Sequence, residues 1–178
     1  MNRNLGQKRC IIDVESTADL WSGRLVCIGV MNIDSKDKEI RIFAGESEET
    51  LLMDFLKYYN ENKFNVIIGY NTIWDFRYII SRCLKYRLRA EAFYRAHCVD
   101  LMMVLKTFGK GFNYNELGTL DSWSKLLTGR GKLVTDAPVP VLFQRGDIDQ
   151  IVAYNKTDLK LTYMLYDRLN TVMGSECT

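Results

Sequence analysis

Asp13 and Glu15 stand two positions apart in Ile11-Ile12-Asp13-Val14-Glu15, a spacing that sends both side chains to one side of an extended strand. Two like charges so close repel, and burying either without a partner is costly. A divalent cation between them removes that penalty. The same residues allow a second reading, in which the strand ends at Ile12 and both acids are solvated in a turn, so this stretch does not decide by itself. Two further acids have distinctive surroundings. Asp75 lies in Asn71-Thr72-Ile73-Trp74-Asp75-Phe76, beside large aromatics and in the first turn of a predicted helix, where the helix dipole favours a carboxylate. Asp158 lies inside a long helical pattern, where aspartate is a poor helix former. Tyr154 is one turn earlier on the same helix face.

The elements that must position these acids follow from periodicity. Residues 24–33 are an apolar run behind the Ser22-Gly23 turn signal, and residues 39–43 alternate polar and apolar. With the first strand they read as an antiparallel meander. Ser47 can cap a helix that opens with Glu48 and Glu49. That helix carries Leu51, Leu52, Phe55, Leu56 and Tyr59 at three-to-four spacing. Residues 66–70 form the next strand, and Asn71-Thr72 can cap a helix over 73–85. A fifth strand at 97–101 runs on into a helix over 102–108. Between 109 and 146 the pattern weakens: a helix over 117–127 is followed by Gly129, Gly131, Pro138 and Pro140, which break up regular structure. A last helix spans 147–169. The order predicts an α/β fold, a mixed five-stranded sheet flanked by helices as in ribonuclease H-like proteins, with residues 1–178 as one domain.

Composition sets the outer limits. Hydrophobic residues at 47% and charged residues at 26% are those of a soluble globular protein. A net charge of +2 neither demands nor excludes a polyanionic partner. Five scattered cysteines with no C-x-x-C pair argue against a disulfide framework and a zinc ribbon, and fit a reducing compartment. No run is long enough to span a bilayer and no leader pattern opens the chain, so the expectation is a cytosolic (cytoplasmic) protein without a membrane role. His97, the sole histidine, reads as a strand-end hydrogen-bonding residue.

In chain order, Asp13-Val14-Glu15, Asn71-Thr72-Ile73-Trp74-Asp75 and Tyr154-Asn155-Lys156-Thr157-Asp158 resemble the three motifs of the DEDD superfamily of 3′–5′ exonucleases. The last motif is that of the tyrosine subclass, because the histidine subclass would need histidine where Ala153 stands. Gly129-Arg130-Gly131-Lys132, residues 141–147 and residues 151–166 resemble the end of the stand-alone exonucleases related to the proofreading domain of family-B DNA polymerases. Trp74 departs from the pattern, since the family usually has Phe or Tyr before the second-motif aspartate.

The resemblance implies a 3′–5′ exonuclease that releases nucleoside monophosphates from 3′ ends of single-stranded DNA with two divalent ions, Mg²⁺ or Mn²⁺, which as hard cations take oxygen ligands. Under it, Asp13 bridges both ions, Glu15 and Asp158 share one with the attacking water, Asp75 supports the other, and Tyr154 orients the water. Ser16 and Thr17 fall where related enzymes touch the 3′-terminal nucleotide, and Asn71, Trp74 and Phe76 flank the second motif as further nucleic-acid contacts. Lys106 and Lys110, in a stretch that interleaves lysine, glycine and phenylalanine, suit backbone phosphates, or form an ordinary surface loop. Arg82, Lys85, Arg87 and Arg89 read as a solvated basic face. Two alternatives stay open: the same catalyst trimming RNA, and a non-catalytic nucleic-acid-binding domain of the same fold. A polymerase or another replication or repair protein would be a partner in trans.

Overall fold

A computed structural model describes residues 6–108 and 118–174. Strands β1 (Arg9–Ser16), β2 (Leu25–Asn32) and β3 (Ile40–Ala44) form the meander, followed by helix α1 (Glu48–Asn62), strand β4 (Val66–Gly69) and helix α2 (Thr72–Tyr86). Then come the short helix α3 (Glu91–Tyr94), strand β5 (His97–Asp100) and helices α4 (Leu101–Lys106), α5 (Leu120–Thr128), α6 (Val139–Arg145) and α7 (Ile148–Met173). The sheet order is β3-β2-β1-β4-β5. The meander is antiparallel, while β4 joins β1 and β5 joins β4 in parallel. No described helix is long and apolar enough to cross a membrane.

Both faces of this sheet are covered, which is why β2 reads as a nearly unbroken apolar run. Cys10, Ile12 and Val14 of β1 enter one core with Leu52, Phe55 and Tyr59 of α1 and Tyr78 and Ile79 of α2. Ile11 enters the other, with Leu159, Leu161 and Leu165 of α7. Strand alternation therefore sends Asp13 and Glu15, in step with Ile11, toward α7. Their strand does not end at Ile12. It continues to Ser16, with a register shift between Glu15 and Ser16.

Several local expectations are corrected. The two prolines open helix α6 rather than break structure: Pro138 is its N-cap and Pro140 lies in its first turn, where a missing N–H costs nothing. Gly129 and Gly146 close α5 and α6 in the left-handed conformation. Helix α5 starts at Leu120, three residues later than expected, behind a Thr119–Ser122 capping box. Asn71 precedes α2 but makes no side-chain cap. Instead its own N–H donates to Asp100 Oδ1 (2.9 Å), which also accepts from Met102 N (3.0 Å) at the start of α4. One carboxylate thus ties the starts of two helices together at the C-terminal ends of β4 and β5. His97 opens β5 at the surface, bonding Asn65 O through its backbone N–H.

The basic cluster in the last turns of α2 and just beyond it is partly internal. Glu48, 4% exposed, accepts from Arg82 Nε and Nη2 (both 2.7 Å), Tyr86 Oη (2.7 Å) and Leu25 N (2.6 Å). Arg82 is itself buried, so this pair staples α1 and α2 to β2 where water cannot replace a lost partner. Arg89 pairs with Glu91 at the surface. Replacing Glu48 with Ala strands the Arg82 charge, and the expected loss of stability is about 3–5 kcal/mol. Urea unfolding of the two proteins checks it; a loss below 1 kcal/mol, as for a surface pair, would contradict this account.

Candidate active site

Three elements bring three carboxylates and two further polar groups to one place. Asp13 and Glu15 come from β1, and Asp158 and Tyr154 come from α7, which crosses that face of the sheet. Each of Asp13, Glu15 and Asp158 offers a carboxylate oxygen within 4.8 Å of the others. Glu15 is 9% exposed and Asp158 3% exposed. Asp158 Oδ2 meets Lys132 Nζ at 2.5 Å, whereas its Oδ1 is buried without a partner. Lys132 Nζ also donates to Tyr154 Oη (3.0 Å) and lies over the same ring.

Asp75 reaches the site from the opposite layer. Helix α2 packs on the Ile12 and Val14 face of β1. Asp75 Oδ1 accepts from Val14 N at 3.0 Å, so it abuts the strand backbone between the two acids without joining their group of three. The tight β4–α2 connection sets this approach: Thr72 Oγ1 donates to Val99 O (3.3 Å), and a side chain on Gly69 would collide with Thr72 and with Ile12 O.

Crowding shows in the acidities. Burial, then the Asp158 charge, raises Asp13 to about 7. Burial, then Asp13 and Asp158, raises Glu15 to about 10. Asp75 is pushed well above the usual carboxylate range by burial and by Asp13. Asp158 is raised by burial, against the opposing pull of Lys132. Burial opposes the charge on Lys132, but Asp158 and Tyr154 more than offset it, so its ammonium is held more firmly than in water. Tyr154 is raised by burial despite the Lys132 hydrogen bond.

Asp13, Glu15, Asp75, Asp158, Lys132 and Tyr154 all line a cleft of about 320 Å³ that also has Ser16, Tyr70, Asn71 and Trp74 in its walls. A second cleft of about 610 Å³ shares Asp13, Tyr70, Asn71, Lys132 and Asp158 with it and continues past Met102, Thr119 and Ser122. The two meet over the acids.

Of the proposed nucleic-acid contacts, Ser16, Asn71 and Trp74 therefore lie at the cleft. Thr17 does not line either cleft; its Oγ1 accepts from Arg24 N and holds the β1–β2 turn. Phe76 stacks on Phe93 with ring centroids 5.2 Å apart, on the α1–α2 side. Lys106 sits half-buried in the last turn of α4, away from the cleft walls. Lys110 lies outside the described residues. Sequence reasoning gave no role to Lys132, Asn155 or Gly29. Lys132 stands in a glycine-flanked stretch whose position depends on Asp121, which accepts from its backbone N at 2.7 Å, and no periodicity reports such a contact. Asn155 Nδ2 donates to Asp13 O (3.0 Å) and to Asp13 Oδ2 (2.8 Å). Gly29 did carry a signal, a glycine inside an apolar strand, which marks a close approach.

Comparison with known proteins places this architecture. The fold matches the structure of the family B DNA polymerase from the archaeon Pyrobaculum calidifontis with a TM-score of 0.73 at 16% identity, over 92% of this chain and 24% of that one. The chain thus spans about a quarter of that polymerase, and the shared part is a ribonuclease H-like fold. An uncharacterized protein of Methanocaldococcus jannaschii is 31% identical over 171 residues, covering 89% of this chain and 93% of its own length. Residues 19–176 match the family described as a predicted 3′–5′ exonuclease related to the exonuclease domain of PolB. That span begins at residue 19, so the family match itself does not include Asp13 and Glu15. This chain belongs to that family of PolB-related predicted 3′–5′ exonucleases.

Proposed function

We propose that the protein is a divalent-metal-dependent 3′–5′ exonuclease that removes nucleoside monophosphates from the 3′ ends of single-stranded DNA. The observation that carries the reading is the group of three carboxylates on the α7 face, with Lys132 and Tyr154 beside them in one cleft. The residues fit the metals. They are all oxygen donors, as hard cations require. The buried Oδ1 of Asp158 has no protein partner, and four acids stand against one ammonium. Asp13, Glu15 and Asp158 would hold the ions, with Asp75 in support. When bound, such ions acidify a water nucleophile and stabilise charge on the attacking and leaving oxygens.

The chain's own groups do the rest. Tyr154 Oη accepts from Lys132 and keeps its own proton at neutral pH, so it donates to and orients an oxygen in the cleft rather than acting as a base. Lys132 presents a fixed positive charge where the charge of a phosphodiester would concentrate. Trp74 offers an aromatic face for an unpaired terminal base, and Ser16 and Asn71 offer polar edges. Two clefts meeting over the acids suit a strand that runs past them with a nucleotide on either side.

The direct test uses 3′- and 5′-labelled DNA and RNA oligonucleotides with Mg²⁺, Mn²⁺ or EDTA. The expected result is stepwise shortening from the 3′ end of DNA that stops with EDTA; substrate intact under every metal condition would sink the proposal. Faster shortening of RNA would move the substrate to RNA and leave the chemistry standing. Asp13→Ala is expected to abolish activity with the fold retained, and Tyr154→Phe to lose less, because water partly replaces an orienting hydroxyl. Equal losses would show that the hydroxyl does more than orient.

A pH dependence follows from the acidities. Asp13 is raised from 3.8 to about 7, so between those values the folded chain holds a proton that the unfolded chain has released. Stability is then complete at low pH and declines as pH rises through the folded value. In EDTA the thermal midpoint is expected to fall between about pH 4 and pH 7 on account of Asp13. Mg²⁺ or Mn²⁺ should restore it most at the upper end, where the ligands are ionised. Asp13→Asn should make the EDTA profile shallower without flattening it, since Glu15 is raised as well; a parent profile already flat would contradict the assignment.

A further inference from the structure

We propose that Asn155 is a positioning residue that fixes the carboxylate of Asp13, and that Gly29 is the gap in the sheet that admits it. This inference rests on the metal-dependent reading above and refines it. Asn155 is fully buried, and its amide nitrogen spends both hydrogens on one residue: Asp13 O at 3.0 Å and Asp13 Oδ2 at 2.8 Å. Holding the main chain and the side chain of Asp13 together leaves its carboxylate little freedom to rotate. The main-chain carbonyl can only accept, so the amide orientation is settled by chemistry. Its Oδ1 must then point the other way, and it is buried there without a partner.

What Oδ1 faces is Gly29. In the β1–β2 ladder Gly29 is directly opposite Asp13, on the same side of the sheet. A side chain there would run into Asn155 Oδ1 and Leu159 Cδ1. The glycine is therefore the condition for Asn155 to reach the strand. Asn155 also lies between Tyr154 and Asp158 on α7, so the same contact sets how far Asp158 stands from Asp13. An amide suits the task because it donates without adding charge to a place already crowded with carboxylates. Aspartate, its isostere, would replace the donor with another negative acceptor.

Groups that orient a metal ligand typically change metal affinity or activity by about 10–100-fold when removed. The test uses the full chain with Asn155→Leu, which keeps the branching of the side chain and removes the amide, and with Asn155→Asp. The readouts are Mn²⁺ affinity by calorimetry without substrate, kcat and KM on a 3′-labelled oligonucleotide, and the thermal midpoint in EDTA. The expected result for Asn155→Leu is Mn²⁺ binding weakened about tenfold or more and a fall in kcat at little-changed KM, with Asn155→Asp worse in kcat. Gly29→Ala should reproduce the Leu phenotype in Mn²⁺ affinity and kcat, with a further fall in thermal midpoint because its side chain also meets Leu159 Cδ1. The double variant should be no worse in Mn²⁺ affinity and kcat than either single one, since both break the contact to Asp13. If Mn²⁺ affinity and kcat stay at parental values while only the thermal midpoint falls, Asn155 is structural and the proposal is overturned. Should Asn155→Leu not fold, Gly29→Ala carries the same reading. A parent chain that neither binds Mn²⁺ nor shortens DNA overturns the exonuclease reading instead, which separates the two failures.

Discussion

Mutual repulsion of buried carboxylates is the constraint on which the rest of this structure depends. At the separations among Asp13, Glu15 and Asp158, within 4.8 Å, each ionised pair repels by about 3 kcal/mol at the effective dielectric of a protein. Desolvation adds to that. Nothing in a folded core rewards such a grouping, so the surrounding elements must hold it by packing elsewhere. They do so at some distance: Ile11 beneath the acids joins Leu159, Leu161 and Leu165 in the apolar contact between β1 and α7, and the Glu48–Arg82 pair locks the opposite layer. The unfavourable charges ride on elements whose stability comes from other residues.

The sheet divides the labour between its faces. Strand alternation gives Asp13 and Glu15 to α7, while Asp75 approaches from α2 and bonds the backbone of Val14, the residue between them. A single strand is therefore gripped from both layers at the position that carries its two acids. Lys132 arrives on a third element, a loop anchored by Asp121 of α5. Its ammonium lowers the electrostatic cost at Asp158 and also acts on Asp13 and Glu15, yet burial and the neighbouring acids still push the pKa of Glu15 up to about 10. A site so built has one fixed cation and a surplus of acceptors, the arrangement a divalent ion completes.

Much of this was legible in the sequence because the carrying signals are local. Period-two spacing at Asp13 and Glu15, the apolar runs of the sheet and the Tyr154–Asp158 turn of α7 all report on residues near each other in the chain. The mixed five-stranded sheet followed from the meander and the later alternation of strand and helix. What escaped is contact between distant segments. Pro138 and Pro140 read as breakers because proline marks both the end of one element and the start of the next, and only the packing of α6 against β2 and α7 decides between them. Arg82 read as a surface charge because Glu48 is 34 positions away in sequence. Phe76 read as a substrate contact because it adjoins Asp75, yet successive helix positions point 100° apart, and its ring belongs with Phe93.

Trp74 shows how a departure from a family pattern can be absorbed. Its ring centroid lies 5.0 Å from that of Tyr78, one turn along α2. The Tyr78 hydroxyl in turn donates within reach of Ala18 O (3.3 Å) and Asp19 O (3.2 Å), in the turn that follows the first acidic strand. Asp19 makes that turn stiff by accepting from Trp21 N, Ser22 N and Ser22 Oγ. A larger aromatic at position 74 thus leans on a tyrosine that is itself braced by the β1–β2 turn, and it needs no space from the acids. The added ring area falls on the cleft wall next to Ser16 and Asn71. Enlarging the aromatic here alters the cleft wall while leaving the carboxylate spacing to β1 and α7.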